Sequence, residues 1–511
     1  MLNNSENLTK SQKLSLTTLT SLTFQVLTIV SGFILPILRL KYYGSEINGL
    51  VVSITQFLGL ISFLDLGVGQ VVQANLYEPL AKDNFELTSD ILASGKKFFR
   101  TLAKILAIYS GALAILYPFI GTSNFDYWFV SLLVLILSID SFAQYYFGIT
   151  YQLLLNSDQR GYVQYTLQII TVLMNLILSV ILITSGFGIH TVKLLTSLIY
   201  LLRPIGMYWY VRNKYKKIDF KKKINYEPIK QKWNGFAQHI ASVVLNNTDT
   251  VVLTLFATLN DVSVYAVYNL VVSGVKQLFT SMVQGIQPVL GEFWAKREYK
   301  ELNEFFGYVE WVIHTATIFL FGCTATLIVP FVEVYTKDIT DCNYVAVAFG
   351  ILLTAAHAAH CIRLPYNLMV IAGGHFKQTQ SCYIIAAGIN IGVSVLTVYK
   401  FGLIGVAIGT LISMVYQTGW LAVYLSKNLI KWNLAIVIKQ LIIDLISVIG
   451  AYSVSSLFEL GTLTYASWVV LALKVAIVWL MVIVLVNFIL KKDYLIKTIG
   501  LARAKTTRGG K

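Results

Sequence analysis

The chain has 511 residues, 56% of them apolar and only 13% charged, with a mean hydropathy of +0.68. A soluble surface carries about twice that charge and a disordered chain has low hydrophobicity, so both are excluded and a polytopic membrane protein remains. The balance is basic, 40 Lys and Arg against 25 Asp and Glu, which here reads as the excess that gathers in inner loops, not as a nucleic-acid surface.

Apolar runs follow in chain order at 14–39, 48–77, 99–121, 127–155, 161–186, 189–212, 233–257, 261–289, 305–333, 344–371, 379–400, 403–425, 434–457 and 465–490. Each is long enough to cross the hydrocarbon layer as a helix, and each is too long and continuous for a barrel strand. The predicted fold is all-α integral membrane, with about 14 transmembrane helices. With the N-terminus placed inside, the inner segments collect about 30 of the 40 basic residues. The outer loops near 121–127, 258–262 and 458–464 hold none, so the helix count and an N-in, C-in orientation support each other.

The longest basic stretch, 213–232, divides six helices from the next six. It separates an N-terminal lobe (1–212) from a C-terminal lobe (233–425), followed by an appended helix pair (426–490) and a basic inner tail (491–511). A repeat joins the lobes: QVVQANLYEPLAK at 70–82 matches QGIQPVLGEFWAK at 284–296, with Leu76/Leu290, Glu78/Glu292 and Lys82/Lys296 among the identities, 214 residues apart. Six helices per unit make this a parallel pseudo-two-fold repeat, which places a substrate site between the halves.

Charge inside a membrane is costly and marks function by default. The interior basic residues are Arg203, Lys276 and Arg363, with Arg39 near the outer end of the first helix; the acidic ones include Asp65, Asp140, Asp249, Glu310 and Asp444. Ser273, Lys276, Thr280, Gln284 and Gln287 recur at spacings of three and four, so they share one face of the eighth helix. Asn246 lies on a similar polar face of the seventh, with Asp249 beside it. Such stripes suit a water-filled cavity, and also interhelical hydrogen bonding. Arg203 precedes Pro204, and Arg363 stands two before Pro365, at helix kinks that either line a site or pair each arginine with an acid. His357, His360 and Cys361 have no carboxylate at metal-ligand spacing and read as core or cavity residues. Four cysteines sit singly without CxxC, and no Walker A loop, G-x-S-x-G or HExxH occurs. Neither an enzyme nor a metal or cofactor site is expected.

The segment LRLKYYGSEINGLVVSITQFLGLISFLDLGVGQVVQANLYEPLAKDN (38–84), with YYG, NGL, FLDLGVG and LYxPLA, resembles the opening of the Wzx-type polysaccharide flippases of the multidrug/oligosaccharidyl-lipid/polysaccharide exporter superfamily. HIASVVLNNTDTVVLTLFATL (239–259) is similar to that family's seventh helix. The resemblance implies two six-helix lobes, a central cavity and two extra helices. It also implies a cargo of undecaprenyl-diphosphate-linked oligosaccharide, moved from the inner to the outer leaflet of the bacterial plasma membrane for surface polysaccharide assembly. Lys276, Arg203, Arg363, Arg39, Gln284 and Asn246 are then the expected substrate contacts, and Asp65 and Asp249 the carriers if an ion is coupled. Expected partners are membrane lipids, the polysaccharide polymerase and glycosyltransferases. Competing readings are an organic-cation multidrug antiporter of the same superfamily, a peptidoglycan-precursor flippase, and a scaffold that recruits glycosyltransferases through loop 213–232.

Overall fold

The computed structural model describes residues 9–65, 68–120, 124–220, 236–283 and 285–498, without the side chains of 10, 11, 65, 236–242 and 246. Among the described residues every regular element is helical. In chain order these are α1 (Lys10–Gly59), a short 3-10 turn (Leu60–Asp65), α2 (Val68–Ala81), α3 (Phe85–Leu116) and α4 (Tyr127–Ala143). A π-helical segment (Gln144–Gly148) leads into α5 (Ile149–Ser157), α6 (Gly161–Thr184), α7 (Ile189–Tyr200), α8 (Leu202–Lys214) and α9 (Phe236–Phe256). There follow α10 (Leu259–Val283), α11 (Ile286–Lys296), α12 (Tyr299–Tyr335), α13 (Val347–Ile362) and α14 (Leu364–Ala372). The chain continues with α15 (Phe376–Phe401), α16 (Leu403–Asn428), α17 (Leu434–Ser455) and α18 (Tyr465–Leu490). Among the described residues eleven helical stretches are long and apolar enough to cross a membrane, and with this composition the chain is a multi-pass membrane protein.

The 50 residues of α1 are not one rod. An unbroken helix of that length would run ~75 Å, more than twice the hydrocarbon thickness. Gly44 breaks it with φ 84° and ψ 171°, a conformation that costs glycine little and a side-chain-bearing residue much. The break falls in the YYGS segment, between the first two apolar runs.

The chain divides into two compact units, Met1–Ser263 and Val264–Lys511. In the first, α1 packs on α6 and α9, and α3 on α4 and α2. Its cores gather around Leu50, Ile54, Tyr117 and Val134 at one level and Leu76, Leu92, Phe99 and Leu154 at another. Asn48 donates to Ser263 at 2.8 Å, Tyr117 to Ser53 at 2.5 Å, and the Ser53 and Thr254 hydroxyls meet at 2.5 Å, a polar seam that fixes α9 and the start of α10 against α1. In the second unit, α15 and α16 form the tightest pair, and α12 packs on α13, α17 and α18. Trp479 of α18, 1% exposed, fills the space over Gly322 of α12 and donates to Thr326 at 3.3 Å.

The repeat is visible in local structure. Glu78–Lys82 and Glu292–Lys296 form the same ion pair, at 2.6 and 2.5 Å. Leu76 and Leu290 are both 0% exposed. The next residue along, Asp83 or Arg297, takes the left-handed conformation in each case (φ 51° and 60°). Asn84 N–H then donates to the Pro79 carbonyl at 2.9 Å, as Glu298 does to Phe293 at 3.1 Å, and α3 and α12 begin at equivalent residues. The correspondence runs on with a one-residue change in spacing. α5 and α14 are nine residues each. Gln159 and Gly374 have φ 56° and 72°, and the N–H groups of Arg160 and His375 reach back to Leu155 and Val370.

Candidate functional site

The second unit holds a group of basic side chains within its membrane-spanning helices. α13 ends at Ile362, and Pro365, which has no N–H to give, sits in the first turn of α14. Arg363 occupies the junction, 7% exposed. Its guanidinium donates to Gln417 of α16, lies 3.2 Å from His360 Nδ1 and stacks 5.8 Å from the Tyr383 ring centre. Tyr383 is held in turn by Asn367. One turn before His360, His357 is 8% exposed, and its Nδ1 has no hydrogen-bond partner; nor has Arg363 Nε. Lys276 of α10 acts electrostatically on His357, His360 and Cys361, and Arg363 acts on His360 and Cys361. Four basic groups from α10, α13 and the α13–α14 junction thus converge. Arg363, a buried cation with its Nε left over, suits an anion that accepts charge-assisted hydrogen bonds.

The other expected site residues lie elsewhere. Arg203, in the first turn of α8, donates to Thr171 of α6 at 2.6 Å and stacks 4.3 Å from the Tyr200 ring centre. Asp140 of α4 acts electrostatically on it. Arg39 of α1 is half-buried and in electrostatic reach of Lys193 of α7, a second positive pair. Asp249 of α9 is 3% exposed, among buried Thr248, Thr250 and Thr254. Gln284 and the side chains of Asn246 and Asp65 lie outside the described residues. Lys276 and Arg363 are therefore the two expected contacts that share one cluster. His357, His360 and Gln417 complete it. The i, i+3 spacing of the two histidines was the available signal, since it put them on one helix face.

A second buried polar group lies in the same unit. His314 Nδ1 lies 2.6 Å from Asp444 Oδ2, and Gln440 donates to Asp444 Oδ1 at 3.0 Å. Glu310, 2% exposed, accepts from Tyr366 at 2.7 Å and from the Trp432 indole at 3.2 Å. These bonds join α12, α14 and α17.

Outside the spans, Arg160 and Asp158 form an ion pair at 2.7 Å between α5 and α6; Arg160 also donates to Tyr210 at 3.1 Å, and Tyr215 donates to Asp158 at 2.5 Å. Burial opposes the charge on Arg160, yet Asp158 and the two tyrosines hold its pKa above the ordinary guanidinium value. Burial, and then the Asp158 charge beside it, push the Tyr215 phenol up.

No family model and no curated protein sequence matches the chain. Solved structures do. A multidrug resistance MATE family transporter of the MOP superfamily, in an inward-facing conformation, superposes with a TM-score of 0.57 at 13% identity, over 80% of this chain and 98% of that one. The fold is that of the MATE transporters. The Vibrio cholerae MATE transporter VcmN in its bent form matches with a TM-score of 0.51 at 15% identity, over 83% and 99% of the two chains. The eukaryotic MATE transporter AtDTX14 matches at 0.52 and 12%, over 83% and 96%. The MATE likeness thus extends over most of the helices and both compact units.

Proposed function

We propose that this protein is an alternating-access transporter that moves an anionic, lipid-linked oligosaccharide across the bacterial plasma membrane for surface polysaccharide assembly. The observation that carries this reading is the convergence of Lys276, His357, His360 and Arg363 on spanning helices. A diphosphate head group cannot cross hydrocarbon unaided, and cationic groups such as Lys276 and Arg363 on the spanning helices would replace its lost hydration. An interior-negative potential also favours its outward passage, by roughly 4–5 kcal/mol for two charges at about 100 mV. Arg39 and Arg203 are further proposed substrate contacts, while Asp249 and Asp65 are the proposed carriers of a coupled ion. Polymerase and glycosyltransferases are the proposed partners.

A second reading, export of organic cations, is favoured by one finding, that the solved structures with this fold include a multidrug resistance transporter. The two readings ask for opposite charge in the cavity.

Deletion of the gene, with quantification of surface polymer and of lipid-linked repeat units in each leaflet, separates them. Loss of polymer with repeat units trapped on the inner leaflet, restored by wild type and not by Lys276→Glu at equal membrane abundance, is the expected result. Normal polymer together with new sensitivity to cationic dyes would overturn the flippase reading in favour of drug export.

A further inference from the structure

The first unit contains a cavity of about 450 Å³ at the end of α3, α5 and α8, on the side expected inside the cell. It exists because the chain turns back after α8. Tyr215 N–H donates to Val211 at 2.8 Å, Ile218 N–H to Tyr215 at 3.1 Å, and Asp219 N–H to the Ser89 hydroxyl at 3.0 Å, which lays residues 215–220 over α3. The Tyr215 side chain is locked by Asp158 and, through it, Arg160. The wall is built, not loosely draped.

Three cations line it: Lys96, Arg212 and Lys216, against one acid, Asp219. Tyr151 and Tyr208 supply phenols, while the Tyr215 hydroxyl is committed to Asp158. Lys96 reaches the Phe220 carbonyl at 3.5 Å and lies 5.9 Å from its ring centre, while Arg212 donates to the Tyr208 hydroxyl at 2.8 Å. The charge of Arg100, next along α3, acts on Tyr151 together with that of Arg212.

The internal repeat provides a control within the same molecule. The residue 214 beyond Lys96 is Glu310, and the residue equivalent to Tyr151 in the nine-residue helix α14 is Tyr366. In the second unit Tyr366 donates to Glu310, and Trp432 packs over Gly307 with its indole N–H on the same carboxylate. That position is filled and its acid saturated. In the first unit the acid is replaced by lysine, and the space is open.

We propose that the Lys96–Arg212–Lys216 cavity is a binding site for a phosphate-bearing anion, either the head group of an anionic lipid of the inner leaflet or a soluble diphosphate. Clustered lysine and arginine with phenolic donors bind phosphoryl oxygens by charge-assisted hydrogen bonds. Asp219 weakens the site and keeps occupancy reversible. This site is separate from the Lys276 cluster, and the inference does not rest on the transport reading.

The test uses the full chain in phosphatidylcholine nanodiscs. One arm titrates pyrophosphate by calorimetry, and the other adds phosphatidylglycerol and counts retained lipid by native mass spectrometry. Saturable binding in either arm is expected, weakened about tenfold or more in the double variant K96Q/R212Q and tightened in D219N. The arm that responds identifies the source of the phosphate. Folding of the variants is checked by gel filtration, and D219N, a gain of affinity, cannot be produced by misfolding. Absence of saturable binding in both arms, or equal affinity in wild type and both variants, would overturn the proposal.

Discussion

Tyr215 is where a single side chain links the fold to pH. Its phenol donates to Asp158, and burial and that carboxylate both disfavour the phenolate, so its pKa in the folded protein lies above the ordinary value of 10.0. A raised folded-state pKa means that the stabilisation is fully present below the unfolded value and is lost as pH climbs beyond it. Thermal midpoints in detergent should therefore hold steady between about pH 8 and 9.5 and fall above about 10. Tyr215→Phe should cost roughly 1.5–3 kcal/mol at neutral pH, the usual worth of a hydrogen bond to a charged group, and flatten the alkaline fall. An equally steep fall in the variant would show that Tyr215 is not the group responsible. The same scale shows what single residues disclose before folding. Lys276 and Arg363 were legible because charge in an apolar run is conspicuous. Lys96 was not: a lysine just before an apolar run reads as topology, and only its place opposite Arg212 gives it another meaning.

At the scale of the element, glycines mark where helices approach too closely for any side chain. A Cβ on Gly49 would stand 1.9 Å from the Leu259 carbonyl oxygen, and one on Gly322 would stand 2.0 Å from the Trp479 ring. The first obstacle is backbone and the second a fully packed indole, so neither yields cheaply. Gly49→Ala and Gly322→Ala should each destabilise by about 1–3 kcal/mol or more, read as lower thermal midpoints, whereas Gly111→Ala, which meets nothing within 4 Å, should not lower it. The helical character of the apolar runs followed from hydropathy, because lipid forces helices upon them. Element breaks did so less well. The Gly44 break coincides with a polar gap in the sequence, whereas the π segment at Gln144–Gly148 lies within a continuous apolar run, and one added residue changes no average.

For the whole molecule, the sequence pointed to a repeat from thirteen residues, and the structure extends it through paired ion bridges, left-handed turns and nine-residue helices. What the pattern of letters could not convey is how the two copies diverged, since Glu310 and Lys96 share a backbone position and have opposite chemistry. The basic-loop asymmetry makes a further statement at this scale. Cys342, in the segment between α12 and α13, is partly exposed; Cys323 is partly exposed too but lies within the apolar span of α12, and Cys361 and Cys382 are buried. With the N-terminus inside, that segment faces outward. A membrane-impermeant maleimide should label intact cells at Cys342, with Cys342→Ser abolishing the signal. Labelling only after lysis would invert the orientation.

The π segment bears on how relatives of this protein are to be recognised. Gly148 closes it, where a Cβ would stand 2.7 Å from the end of the flexible Gln144 side chain. Deleting one residue between 144 and 148 would heal the turn into ordinary α-helix and rotate everything after it by about 100°. Hydropathy would be unaltered, every apolar run would survive, and Tyr151 would swing off the wall it shares with Lys96. Chain length across these five positions is thus a character in its own right: a homologue one residue shorter there inherits the membrane fold without inheriting this cavity.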